Sequence, residues 1–174
     1  MAKLCQINRV KDSFDRDSLR LIINALVMSK LYYCSTVWSN TSATNIKKLR
    51  AVQNFACRIL TNTGRYDHVT PSLRAIRWLP VEEHLKFRET LITHKCMKGL
   101  APPYLSKLFI KRIEIHDLNT RNNKALHIPQ HKTVSGQRTF YYRAVKFWND
   151  LDEDLKKLPW KSFETELKKM LNNN

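Results

Sequence analysis

Apolar residues recur along most of this chain at three- and four-residue steps, the spacing that lines one face of a helix. Between residues 19 and 27 the inward positions are Leu19, Ile22, Ile23, Leu26 and Val27, and Asp15 or Asp17 stands where a helix N-cap belongs. With no Gly or Pro to stop it, the pattern predicts that this helix runs on, with a bend, through Tyr32 and Tyr33 to Val37 and Trp38. A polar stretch, 39–44, supplies a turn and a second cap, so the next helix is expected to begin near Thr44. Its inner face reads Ile46, Leu49, Val52, Gln53, Ala56 and Ile59 or Leu60, with Phe55 at the edge and Gly64 as the residue that ends it.

Prolines punctuate the middle of the chain. Thr70-Pro71 reads as an N-cap and first helical position for a short helix through Ile76, and Pro80 opens a longer one in the same way. Val81, Leu85, Leu91 and Ile92 point inward in that longer helix, Glu82 and Glu83 suit its first turn, and Gly99 closes it. Pro102-Pro103 starts a brief helix carrying Tyr104, Leu105, Leu108 and Phe109. From 110 to 135 the pattern weakens to a loop with one strand, Ala125 to Ile128, stopped by Pro129. Gln137 to Trp148 is helical again, with Phe140, Ala144, Phe147 and Trp148 on one stripe, and a last helix from Ser162 turns Phe163, Leu167, Met170 and Leu171 inward. The fold class is therefore mainly α: a bundle of about four helices over 1–110, then a smaller helical piece over 111–174 with a loop and room for one short strand.

Charge changes the picture most. Thirty-one Lys and Arg against 15 Asp and Glu give a formal charge of +16, a field that attracts polyanions, nucleic acid first among them. Between Lys111 and Lys146 stand eight basic and two acidic residues, and Arg121, Lys124, Lys132, Arg138, Arg143 and Lys146 are the candidate phosphate contacts there, with Tyr141 as a stacking face. Lys47, Lys48, Arg50 and Arg58, on the helix that carries Gln53, are a second candidate set. The plain reading beside this is a solvated basic face over an aromatic core, in which Trp38, Trp78, Trp148 and Trp160 are anchors.

Other chemistry finds little footing. Three glycines in 174 residues leave no P-loop and no dinucleotide fingerprint. Cys5, Cys34, Cys57 and Cys96 form no CxxC pair, so no zinc site is expected, and Cys34 and Cys57 read as small buried residues of a reducing compartment. The six histidines are scattered, and the acidic cluster Asp150, Asp152, Glu153, Asp154 reads as a solvated connection between helices. The most apolar run, 19–27, is broken by Arg20 and Asn24 and is too short to cross a bilayer; an intracellular protein, in nucleus or cytoplasm, with no membrane partner, is the expectation.

Four short signatures also occur in series: Leu31-Tyr-Tyr-Cys-Ser-Thr-Val-Trp38, Leu49-Arg-Ala-Val-Gln-Asn-Phe-Ala-Cys-Arg58, Trp78-Leu-Pro-Val81, and Arg138-Thr-Phe140 followed by Phe147-Trp-Asn149. In this order they resemble the region downstream of the polymerase palm in reverse transcriptases of jockey-like non-LTR retrotransposons. The resemblance implies a helical thumb over 1–110 and a basic C-terminal region over 111–174 that grip template RNA and target DNA. It also implies a non-catalytic fragment, because the Tyr/Phe-x-Asp-Asp box of the palm does not occur here; Mg²⁺ would belong to that absent palm, none being expected in this chain, and the palm and fingers would be its partners in a longer protein. Leu31, Tyr32, Val37 and Trp38 are then the expected exposed apolar surface. The alternative is an orphan helical interaction module or pseudogene relic without a nucleic-acid role.

Overall fold

The structure, a computed structural model, describes residues 1–115 and 123–173, and it is mainly α. It divides into two compact units, Met1–His84 and Leu85–Asn174. That division reflects packing, whereas the boundary expected after residue 110 reflected the weakening of the helical pattern there.

The first unit opens with a helix that the apolar spacing had not announced, α1 (Ala2–Val10), which buries Leu4 and Ile7. A 3₁₀ turn leads to α2 (Arg16–Ile23), capped by the Asp15 carboxylate, which accepts from the backbone N–H of Asp17 at 3.1 Å and of Ser18 at 3.0 Å. A hydrogen bond from the Ser18 side chain foremost, and then these backbone bonds, hold the Asp15 carboxyl below its usual pKa. The helix then widens into a π-helical turn over Asn24–Met28 before regaining α geometry in α3 (Ser29–Leu31). The wider turn rotates the face: Met28 goes inside, while Leu26, expected inside, is exposed.

The expected run to Trp38 is interrupted. Cys34 takes the left-handed conformation (φ 47°), and a separate short helix, α4 (Ser35–Trp38), comes after it, fastened by the Trp38 indole N–H donating to the Tyr33 carbonyl at 2.8 Å. The break leaves Cys34 exposed, correcting its assignment to the core; Cys57 is the buried member of that pair.

Next comes α5 (Ala43–Thr61), capped by Ser42 and burying Gln53, Ala56, Cys57, Ile59 and Leu60. Asn62, not Gly64, supplies its left-handed end (φ 52°). Gly64 serves close approach instead: a Cβ there would stand 2.9 Å from the Asp67 carboxylate, which accepts the Gly64 N–H at 2.8 Å. The next helix, α6 (Val69–Ala75), starts ahead of the expected Thr70 cap, from His68. It ends in a Schellman motif, with Trp78 N–H donating to the Leu73 carbonyl at 2.9 Å, Arg77 N–H to that of Arg74 at 3.0 Å, and Arg77 left-handed at φ 55°. Leu4, Ile7, Leu19, Ile23, Met28, Ala56, Ile59, Leu60, Leu73 and Ile76 belong to one buried cluster.

The division between the units falls inside α7 (Val81–Met97), which Pro80 introduces and Gly99 (φ 69°) closes. Val81 and Leu85 are buried as expected, but Leu91 and Ile92 are only half-buried; the buried positions include Glu89, Thr90, Thr93 and His94. The side chain of Thr93 is satisfied locally, donating to the Glu89 carbonyl at 3.0 Å, which lets a polar face go inside.

The second unit continues with α8 (Pro103–Ser106), α9 (Val134–Gln137), α10 (Phe140–Asp150), α11 (Glu153–Lys157) and α12 (Trp160–Asn173). The single helix expected from Gln137 is thus parted at Arg138–Thr139. Phe163, Leu167 and Leu171 of α12 and Ala144, Val145 and Trp148 of α10 are buried. Phe163 stacks on the His94 ring at 4.0 Å between centroids, and Trp148 lies 6.0 Å from each. Trp38, Trp78 and Trp160 are half-buried, so Trp148 alone of the four is a fully buried anchor.

The strand expected at Ala125–Ile128 is reduced to one antiparallel bridge, Lys111 with Leu126. Its rungs are Arg112 N–H to the Ala125 carbonyl at 2.9 Å and His127 N–H to that of Ile110 at 2.8 Å. Leu126's own amide faces the other way, where a second strand would lie, and a side chain fills that place: Asn149 accepts the Leu126 N–H and donates to the Leu126 carbonyl, both at 2.9 Å. With both edges of Leu126 satisfied, no longer ladder is needed.

Candidate nucleic-acid interface

The signature motifs do structural work. Gln53 is 1% exposed and its amide N–H₂ donates to the Leu79 carbonyl at 2.8 Å and to the Tyr32 hydroxyl at 2.9 Å. One side chain thereby ties the first three motifs together, through Tyr32, Gln53 and Leu79. Tyr32 also stacks on His84, with ring centroids 3.7 Å apart. Burial, with the Glu82 charge adding to it, pushes the Tyr32 phenol well above its usual pKa, so it stays a neutral donor and acceptor. The fourth motif contributes Asn149, the clamp on Leu126.

Most of the candidate contact residues lie outside these nodes. Lys47, Lys48 and Arg50 are exposed on α5, and Arg50 pairs with Glu82. Arg58 is half-buried and turned onto the loop after α5, its Nε donating to the Gly64 carbonyl and its Nη2 to that of Asp67, each at 3.1 Å. In the second unit Lys124, Lys132, Arg138 and Lys146 are exposed. Among the described residues none of Lys47, Lys48, Lys124, Lys132, Arg138 and Lys146 stands in an ion pair. Arg121 lies outside the described residues.

Two candidates turn inward. Arg143 pairs with Glu89 of α7 at 2.6 Å, the carboxylate side chain being only 10% exposed. Tyr141 donates its hydroxyl to the His127 carbonyl at 3.1 Å and meets Phe109 edge-on at 5.7 Å, and burial raises its pKa. Each therefore braces the unit that presents the exposed cations.

Within the first unit, a cavity of about 460 Å³ opens between α5 and the segment from Tyr66 to Pro80. Arg50, Gln53, Asn54, Arg58, Tyr66 and His68 are among its lining residues. The loop at its mouth is held by the two Arg58 bonds and the Asp67 to Gly64 bond, and it projects Tyr66 at 93% exposure with the Arg65 guanidinium 5.9 Å from the ring centroid. No single stretch of sequence foretells the cavity, because its walls are brought together only by folding.

No family model, curated protein or solved structure matches the chain. The chemistry open to it is therefore that of its own residues. Among the described residues no three His, Cys, Asp or Glu side chains gather in a metal-holding group. Burial raises the pKa of the Cys57 and Cys96 thiols, which keeps them protonated and poor nucleophiles. No helix among the described residues is long and apolar enough to cross a membrane. What the arrangement can do chemically is present unpaired cations to a polyanion.

Proposed function

We propose that this chain is a nucleic-acid-gripping, non-catalytic part of a retroelement RNA-directed DNA polymerase, holding template RNA or target DNA through its exposed basic helical surfaces, in nucleus or cytoplasm. The observation that carries the reading is the set of exposed, unpaired cations, Lys47 and Lys48 in one unit and Lys124, Lys132, Arg138 and Lys146 in the other, in a chain of net charge +16. The joining of the first three signature motifs at Gln53 supports treating them as one structural unit, as the resemblance requires.

The test is binding of fluorescently labelled single-stranded and duplex oligonucleotides by anisotropy over a range of KCl concentrations. Binding should weaken steeply with salt. Changing Lys132, Arg138 and Lys146 together to Ala should weaken it for every sequence and flatten the slope of log K against log salt by about 0.7 to 0.9 for each phosphate no longer neutralised. Arg143 is left out because it is tied to Glu89. Unchanged affinity and slope in the triple variant would remove this surface from the reading.

A second reading, a protein-interaction module, is favoured by the exposed apolar residues Leu21, Leu26, Tyr33 and Val37. Of the four positions expected to be exposed there, Val37 is, at 77%, while Leu31, Tyr32 and Trp38 are half-buried. Self-association that disappears on changing Val37 and Tyr33 to Ser, without salt-sensitive binding of nucleic acid, would favour this second reading.

A further inference from the structure

Ser135 stands between two of the exposed cations, Lys132 three places before it and Arg138 three places after. Of the serines and threonines in the chain, only Thr61 and Ser135 have a Lys or Arg three residues before them, a charge pattern that a protein kinase with an acidic cleft selects. Thr61 is ill placed for it, half-buried and donating its hydroxyl to the Cys57 carbonyl at 3.0 Å. Ser135 is exposed, and among the described residues its hydroxyl makes no hydrogen bond. The hydroxyls to either side are engaged, Thr133 accepting the Gly136 N–H at 3.2 Å and Thr139 donating to the Gly136 carbonyl at 2.8 Å. The backbone there is also easy to present: α9 has four residues and buries none of them, and Val134, next to Ser135, is 65% exposed. A helical turn so short is marginal, so opening it to the extended form that a kinase cleft holds costs little.

We propose that Ser135 is a phosphorylation site for a basic-directed protein kinase, and that phosphate there turns off the nucleic-acid grip of Lys132 and Arg138. The inference rests on the nucleic-acid reading above and adds its regulation. In the transfer, Ser135 Oγ bonds to the γ-phosphorus of ATP as the bond from that phosphorus to the ADP oxygen breaks, and the hydroxyl proton passes to the catalytic aspartate of the kinase. The product carries about two negative charges at neutral pH. Three residues of chain span at most about 11 Å, close to the Debye length of about 10 Å at 0.1 M salt, so both cations feel the phosphate whatever their rotamers. Local carboxylates do not compete for it, since residues 118–149 contain no Asp or Glu, and Glu89 of α7 is already paired with Arg143. Two of the cations offered to a polyanion are thereby neutralised from within the chain.

The experiment treats the purified full chain with a panel of basic-directed serine kinases and Mg-ATP, maps the phosphate by mass spectrometry, and measures oligonucleotide binding by anisotropy before and after. Phosphate should appear on Ser135, and Ser135→Ala should abolish it there while binding as unmodified wild type does. Losing two phosphate contacts should weaken binding roughly 25- to 60-fold at about 0.1 M KCl and flatten the slope of log K against log salt by about 1.4 to 1.8. Ser135→Glu, with a single negative charge, should fall between the two forms. Phosphate only at other positions, or none, overturns the site. If Ser135 is phosphorylated but affinity and slope stay as they were, while the Lys132, Arg138, Lys146 variant is weakened, the switch fails and the nucleic-acid reading stands. If wild type binds no oligonucleotide, at low salt as well, that reading fails and takes the switch with it.

Discussion

Replacing Gln53 by Leu should destabilise the first unit by about 1 to 3 kcal/mol. The substitution keeps approximate volume and removes the donor of two bonds, to the Leu79 carbonyl at 2.8 Å and to the Tyr32 hydroxyl at 2.9 Å. Leu79 is 3% exposed, so its carbonyl is left without that donor at a cost of about 1 to 3 kcal/mol. The Tyr32 hydroxyl is at a half-buried residue and can turn toward water, which limits its share to about 1 kcal/mol. Against these, leucine relieves the burial of the partnerless Gln53 Oε1, offsetting about 1 kcal/mol. Urea unfolding monitored by tryptophan fluorescence measures the sum, and with a slope of about 1 to 3 kcal/mol per molar the midpoint should fall by about 1 M. Tyr32→Phe, which removes one bond and strands no carbonyl, should cost about 1 kcal/mol, and the double variant less than the two added together. A Gln53→Leu protein as stable as wild type would refute the claim that this amide is what ties Tyr32 and Leu79 to α5.

Asn149→Ala should cost about 2 to 4 kcal/mol, since it strands both the N–H and the carbonyl of fully buried Leu126, and amide exchange at Leu126 should quicken beyond the global change; unaltered exchange there would dismiss the clamp. Arg77→Gly should stabilise by about 0.5 to 1 kcal/mol in thermal unfolding, because glycine takes φ 55° without the steric cost of a side chain; a lower melting temperature would contradict this. His94 gives a pH dependence. Its Nε2 lies 3.1 Å from the Leu158 carbonyl and so carries the proton, while Nδ1 is buried without a partner, and burial lowers the pKa below 6.5. The unfolded chain then binds a proton more readily than the folded one, so this contribution to stability is complete above pH 6.5 and is lost as pH falls from there toward the lower folded-state value. Urea midpoints measured between about pH 8 and pH 5 should fall, and His94→Leu should fall less steeply; parallel profiles would exclude His94 as a source.

What could be read in the chain was mostly what repeats. The apolar spacing of α2, α5 and α12 and the capping position of Asp15 are carried by neighbours in sequence, and folding leaves them where the spacing put them. The left-handed residues were harder. Cys34, Asn62 and Arg77 occupy conformations for which glycine is the usual signal, and Gly64, which has that signal, is used for close approach to Asp67. In α7 periodicity misled because Thr93 satisfies itself against the helix backbone and goes inside with Glu89 and His94, while Leu91 and Ile92 stay nearer the surface. Long-range pairs left no local trace at all. Arg143 reads as a phosphate contact until Glu89, 54 positions away, is seen beside it, and the cavity gathers residues from Arg50 to Glu82.

The π-helical turn at Asn24–Met28 bears on how this chain can change in length. Its defining bond runs from the Ser29 N–H to the Asn24 carbonyl, five residues back instead of four, so the turn behaves as an α-helix with one residue inserted. Deleting any one of those five residues would restore ordinary helical bonding and improve the local geometry. Everything beyond would then rotate by about 100°, and Tyr32 would swing away from Gln53 and His84. A deletion here is thus locally silent and globally costly, whereas surface loops tolerate the same change far better. Related chains, wherever they are found, should vary in length in those loops and keep a constant residue count from Asp15 to Tyr32.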